Sequence, residues 1–452
     1  MKNKFGFSEL SARIMALALP MTTVQFISAS STFFCMMMLA HLGHQVLAAS
    51  ALISASQMPV IMIGTSLLFV LSFLVGHAYG GKNYILIGSY IQQAWLYGLI
   101  VSIPMLFIFW NMGSILTFFH QPAPQVQLVT CFYKAFVWAV LPLVLLMSNQ
   151  QLCYGTQHQK IAMLSSLLSV VVLVVSAYIL IFGKFGAPAL GVEGLGYAIA
   201  VQCWFGFSFT MLCFCRMEGF KKFELFNYRI HKNWHCLRQM LKVGWPVSVQ
   251  IGGELLSFFA TAIMVGWLGA TELGAFQVVN QYILLVIIPI FALSQSVGVL
   301  VGQARGAKQF HEIKLIGTAA IKVTLAVTLV VAIVFLVFPR NLAALYLDAS
   351  HSEGAQIMHL IIILFAIMAF ARIFDAIRNV MTGALRGLFD TKYPMYVGLI
   401  VIWLIGIPLG YVLAFPLHLG LAGIATGSLI GMGIGAVLLL FRWHKLSNAV
   451  LD

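Results

Sequence analysis

The chain has 452 residues, 61% of them hydrophobic and 8% charged, where soluble domains carry about 25% charged residues. Its mean hydropathy is +0.99, and no polar stretch is long enough to form a separate soluble domain. The net charge of +13 does not point to nucleic acid, because Lys and Arg sit in short gaps between apolar runs and not among aromatics on one polar face.

Apolar runs of roughly 17–25 residues each suit one membrane span. In chain order they predict helices near 14–39, 50–76, 90–112, 129–151, 161–183 and 190–215, then near 240–267, 276–303, 313–338, 357–384, 393–415 and 419–442. The start, Met1 to Pro20, has the basic end and apolar run of a cleaved signal peptide. The run continues past Pro20 to Leu39, however, so it reads as the first span. Between the second and third spans, Gly76-His77-Ala78-Tyr79-Gly80-Gly81-Lys82-Asn83 nearly fits a phosphate-binding loop. Asn83 stands where the Mg²⁺-binding Ser or Thr belongs, and a helix precedes the turn where a strand is needed. A tight helix connection is the better reading. The seven cysteines are scattered, with no CxxC pair and no disulfide framework. His231, His235 and Cys236 have metal-like spacing, but no second cluster completes a site.

Eighteen Lys and Arg, from Lys2 to Lys445, fall in alternate connections, against Lys134, Lys184 and Arg340 in the others. That bias makes the first side cytoplasmic and puts both termini there. The halves repeat each other. Pro20 matches Pro246, Leu42-Gly43 matches Leu268-Gly269, and Val75 to Lys82 matches Val301 to Lys308, all at an offset of 226. Six spans per half give both halves one orientation, hence an axis along the membrane normal and a midplane cleft between two bundles. The expected fold is an all-α integral membrane protein of about twelve transmembrane helices in two pseudo-symmetric six-helix bundles: 1–215, a cytoplasmic linker 216–239, and 240–452.

Of twelve acids, Glu254 and Asp375 lie well inside predicted spans. An intramembrane charge costs roughly 2.5–3.5 kcal/mol on insertion scales, so such acids usually face a cavity or a partner. At about 1.5 Å per residue both sit roughly 20 Å from the cytoplasmic side, a depth at which they can share one site. Gln250, Glu254, Ser257 and Thr261 recur at helical spacing, a polar stripe expected to line an aqueous cavity. Asp375 has Arg372 and Arg378 three residues to either side, so a local ion pair explains it as well as a functional role does. Two neighbouring carboxylates attract Na⁺ or a cationic substrate, and repulsion lets them take up protons. Met36, Met37 and Met38 offer a compliant surface for varied ligands, though most Met and Phe reads as packing.

The six-plus-six repeat, the turn GHAYGGKN echoed by GQARGAKQ, and DAIRNVMTGALRG (375–387) together resemble the multidrug and toxic compound extrusion (MATE) family over almost the whole chain. The resemblance implies export of cationic and other amphipathic compounds in exchange for H⁺ or Na⁺. It implies cation-coupling roles for Glu254, Asp375 and Gln277, the last resembling the glutamine of a helix 8 HQV motif with Phe276 in place of His. Gln25 and Gln57, with the two acids, are the implied substrate-binding residues. Cys35 stands where NorM-type members have an Asp, and Ala371 where some Na⁺-coupled members have Tyr, which leans the implied coupling towards H⁺.

The first reading is therefore a secondary antiporter in the cytoplasmic membrane. It is expected to be a monomer among membrane lipids, to act on small molecules, to need no cofactor or metal beyond the coupling ion, and to bind no nucleic acid. The runner-up is a lipid-linked precursor flippase, whose cavity would be lined with Arg and Lys. A non-transporting receptor or channel would need no paired buried acids. Nothing in the sequence supports an enzyme, since HExxH and GxSxG are absent.

Overall fold

The computed structural model describes residues 7–40, 42, 44–186, 188–226, 234–345 and 352–449. His231, with Lys2, Lys4, Gly43, Arg229, Lys232 and Asp348, lies outside them. Among the described residues there is no strand. Among them twelve helices are long and apolar enough to cross a membrane, matching the twelve spans read from hydropathy.

The helices of the first half are α1 (Phe7–Ala40), α2 (His44–Thr65), α3 (Phe69–Gly80), α4 (Tyr84–Trp110), α5 (Met112–Phe118), α6 (Ala123–Gly155), α7 (Gln159–Phe182), α8 (Val192–Arg216) and α9 (Glu218–Lys221). Those of the second are α10 (Trp234–Gly266), α11 (Ala270–Gly306), α12 (Phe310–Val337), α13 (Pro339–Ala344), α14 (Ser352–Gly387), α15 (Lys392–Leu399), α16 (Ile407–Ala414) and α17 (Gly420–Ala449).

Two spans are interrupted, and each break has a local cause. The second passes through a 3₁₀ turn at Ser66–Leu68. There the Thr65 hydroxyl donates to Ile61 O at 2.7 Å and the Ser66 hydroxyl to Ile63 O at 2.8 Å, and such back-bonding competes with the α-helical ladder. The eleventh contains a π-helical stretch, Ile400–Gly406. It ends just before Pro408, which has no N–H to continue the α pattern. The short α5 and α13 cap the third and ninth spans, where hydropathy alone gave no separate element.

The repeat is legible in the backbone. Asn83 N donates to Ala78 O and Gln309 N to Ala304 O, both at 2.9 Å. Lys82 and Lys308 take the same left-handed conformation, φ 55° and 56°. The Walker-like sequence is thus one of two matching helix-to-helix turns.

The chain forms two compact units, Pro20–Trp245 and Met1–Leu19 with Pro246–Asp452. The division falls at the two repeat-related prolines, each inside a helix, where a backbone hydrogen bond is missing. In the first unit α6 packs on α8 and α4, with Phe109 stacked on Tyr133 and Phe132 on Phe136. Asn149 ties three helices, accepting from Trp95 Nε1 at 2.9 Å and donating to Thr210 Oγ1 at 2.8 Å. In the second unit α14 is the hub, packing on α11, α12 and α17. Leu10, Ile14, Leu17 and Ala18 at the start of α1 join the buried cluster around Leu293, Val297, Met381, Ala384 and Trp443. Large apolar side chains such as Phe107, Trp138, Phe259 and Leu404 remain exposed, as a lipid solvent requires.

Candidate functional site

The site is built on α14. Arg372, Asp375, Asn379, Thr382 and Arg386 recur every three or four residues, so the helix carries them on one face, with Arg378 beside them. Arg372, Asp375, Arg378, Thr382 and Arg386 are buried. Small residues let that face sit deep in the unit. Gly383 and Gly387 have the spacing that permits close helix approach. A Cβ at either would strike α11 backbone, at Ser294 O and Gly298 O respectively.

Asp375 is held at both carboxylate oxygens. Its Oδ2 accepts from Arg372 Nη1 at 3.0 Å. Its Oδ1 accepts from Arg378 Nη2 at 2.9 Å, Arg378 Nε at 3.2 Å and Asn379 Nδ2 at 3.1 Å. The i,i+3 ion pairs that the sequence offered as an alternative explanation are therefore formed on both sides.

Glu254, on α10, meets this cluster from the side. Its Oε1 accepts from Arg378 Nη1 at 2.9 Å and from Gln250 Nε2 at 3.1 Å. Glu254 thus has a counter-charge, which comes from α14 and not from its own helix. Its side chain keeps 26% exposure, and no hydrogen bond reaches Oε2 from the described residues. Glu254 is the open edge of an otherwise buried network. The two acids share one site as their depths implied, but they share it through Arg378.

The network continues to a residue that the sequence reading missed. Arg386, counted there among loop cations, lies in the last turn of α14 and is 7% exposed. Its Nη2 donates to Gln250 Oε1 at 2.9 Å. A guanidinium can only donate, so the amide oxygen of Gln250 must face Arg386 and its NH₂ must face Glu254. The signal was the i+14 spacing from Arg372 on one helical face.

The polar stripe on α10 is present, but its hydroxyls turn inward along their own helix. Ser257 Oγ donates to Glu254 O at 2.7 Å and Thr261 Oγ1 to Ser257 O at 2.8 Å, so these groups need no water. Gln277 is exposed on α11 and is not hydrogen-bonded to the cluster. Gln25 and Gln57 are half-buried on α1 and α2, in the other unit. His235 is exposed while its neighbour Cys236 is buried, and no group of three metal-ligating side chains occurs among the described residues. All seven cysteines are free.

A family model described as MatE matches residues 20–179 and 246–412. The chain belongs to this family. The two matched blocks of MatE begin at the repeat-related prolines and leave out the linker. The Probable multidrug resistance protein NorM of Synechocystis sp. is 27% identical, covering 98% of this chain and 96% of its own length. The protein of the same name from Agrobacterium fabrum is 29% identical, covering 97% and 94%. The MATE transporter VcmN of Vibrio cholerae, in its bent form, superposes with a TM-score of 0.88 over 98% of both chains at 16% identity. This MatE chain therefore has the MATE transporter fold and is an integral membrane protein.

Proposed function

We propose that the protein is a secondary active multidrug efflux antiporter, exporting organic, mainly cationic and amphipathic compounds by alternating access, with Glu254 as the coupling carboxylate. The observation that carries this is the unshared Oε2 of Glu254 at the exposed edge of a buried charge network. Relatives spanning nearly the whole chain bear the name multidrug resistance protein, which supports the efflux reading over a flippase.

H⁺ is the coupling ion that this arrangement favours. A hard cation wants a cage of several oxygens. Asp375 has both oxygens committed to guanidinium and amide donors, and one free carboxylate oxygen on Glu254 makes no cage. A proton needs only that oxygen. Protonated Glu254 loses its charge towards Arg378, so proton binding and the packing of α10 on α14 are linked. Gln277, Gln25 and Gln57 remain proposed contacts for ion or substrate. The protein is proposed to act as a monomer in the cytoplasmic membrane with both termini inside, with no cofactor and no nucleic-acid partner.

The test is gradient-driven efflux of a cationic dye from proteoliposomes, with an imposed pH or Na⁺ gradient. Efflux should follow the pH gradient and vanish in Glu254→Gln, which keeps the shape and removes the charge. Full transport in that variant, or dependence on Na⁺ alone, refutes the assignment.

A further inference from the structure

The geometry points to an oxyanion subsite at Arg386, next to the coupling carboxylate, that takes a carboxylate or phosphate group. This deepens the efflux reading and rests on it: the transported molecules would include zwitterions, whose acidic group docks at Arg386.

Three guanidiniums, Arg372, Arg378 and Arg386, stand against two carboxylates, Asp375 and Glu254. The surplus is local to Arg386. Arg372 and Arg378 each hold a carboxylate, whereas Arg386 forms no ion pair with a described residue. A guanidinium grips an oxyanion best along its side-on Nε and Nη2 edge, with two parallel hydrogen bonds. On Arg378 that edge holds Asp375 Oδ1. On Arg386 the Nη2 holds a neutral amide oxygen, Gln250 Oε1, and the buried Nε has no acceptor among the described residues; the Nε of Arg372 lacks one too, but that guanidinium already holds a carboxylate.

The C-terminus of α14 offsets part of this charge, about half of one elementary charge, but it supplies no acceptor to Nε. An unmatched buried donor on a charged group is costly. A carboxylate or phosphate would take both donors, replacing the Gln250 oxygen and filling the empty place beside it. Gln250 would then turn away from its present pairing. Because its NH₂ donates to Glu254 Oε1, oxyanion binding at Arg386 and the state of Glu254 are coupled through one side chain. Such coupling is reciprocal.

The experiment uses a matched pair of dyes, a rhodamine with a free carboxylate and the same dye as its methyl ester. Binding is measured by fluorescence anisotropy on the full-length protein in phosphatidylcholine nanodiscs. The acid should bind at least about tenfold tighter than the ester, the scale of one charged hydrogen-bonded pair. Arg386→Gln should bring the ratio to about one. Gln250→Leu removes the competing oxygen and should raise the ratio, and the acid should raise the melting temperature of that variant more than the ester does.

A lipid phosphate could use the same edge. If phosphatidylglycerol in the nanodisc abolishes the acid's advantage, the oxyanion site stands with a headgroup as its ligand. If inorganic phosphate does so in phosphatidylcholine discs, it stands with a soluble one. Equal binding of acid and ester by the wild-type protein, with efflux of both intact, overturns the subsite and leaves the efflux reading standing. Retention of the preference in a folded Arg386→Gln variant also overturns the subsite. Movement of neither dye under a gradient overturns both readings.

Discussion

Arg378 donates through Nη1 to Oε1 of Glu254 at 2.9 Å, across 124 positions of sequence. Its opposite edge holds Asp375. One guanidinium therefore bonds acids of two helices at once; Asp375 shares it with Arg372, and Glu254 has no other cation among the described residues.

Removing that cation should be more damaging than removing either acid. Arg378→Gln leaves Asp375 with Arg372 alone and leaves Glu254 with no cation among its hydrogen-bond partners. Breaking a buried pair from one side costs about 3–5 kcal/mol, so the melting temperature in detergent should fall sharply. Arg378→Gln combined with Glu254→Gln should recover much of the loss, because the carboxylate left without a cation is gone while the Arg372–Asp375 pair stays. A double variant no more stable than the single one would show that the ion pair is not what holds this region.

Asp375→Asn alone separates structure from coupling. The carboxylate is held at both oxygens by two arginines and Asn379, which compete with any cation for it. The variant should lose stability by about 3 kcal/mol or more yet keep pH-gradient-driven efflux per folded molecule. Proteoliposome efflux normalised to folded protein decides it. Loss of coupling with stability unchanged would restore Asp375 to the coupling pair.

The spans, their number and the repeat were legible because hydropathy, Lys/Arg placement and the prolines act locally along the chain. Glu254 and Asp375 stood out because deep charges are rare. Arg372 and Arg378 were visible as neighbours of Asp375, since i,i+3 pairs are fixed by the helix. The Glu254–Arg378 contact was not legible, because the register between α10 and α14 is set by packing and leaves no local mark. Arg386 was hidden by its position at a span's end, where a cation normally reads as a loop charge facing water. The π stretch at 400–406 was hidden as well: Pro408 signals a missing hydrogen bond but not how the preceding turns absorb it.

The packing that buries the cluster makes its own prediction. A Cβ at Gly383 would strike the backbone carbonyl of Ser294 on α11, and Ser294 also donates to Asn379 O at 2.6 Å. Ala in place of Gly gains about 1 kcal/mol of helix propensity. Overpacking costs about 1–3 kcal/mol, and here the obstacle is backbone, which cannot rotate aside. Gly383→Ala should therefore lower the melting temperature in detergent. An unchanged or raised value would mean that α11 and α14 separate without cost.

Arg378 can also be disturbed without altering any charge. Gly435, on α17, faces its stem: a Cβ there would lie 3.1 Å from Arg378 Cδ and 3.2 Å from Val401 Cγ2. Those distances are tight but leave room for a small shift, so Gly435→Ala should cost under about 1.5 kcal/mol of stability, propensity offsetting most of the strain. The shift, however, is delivered to the guanidinium that holds Glu254 at 2.9 Å, and hydrogen bonds weaken steeply with misalignment. Efflux driven by a pH gradient should fall several-fold, while the melting temperature moves little. Gly433→Ala, whose Cβ would meet Phe374 Cγ only at 4.0 Å, is the matched control: it should leave efflux unchanged and, with propensity unopposed, raise the melting temperature slightly. Equal efflux by the two alanine variants and the parent would mean that the position of Arg378 does not set the behaviour of Glu254.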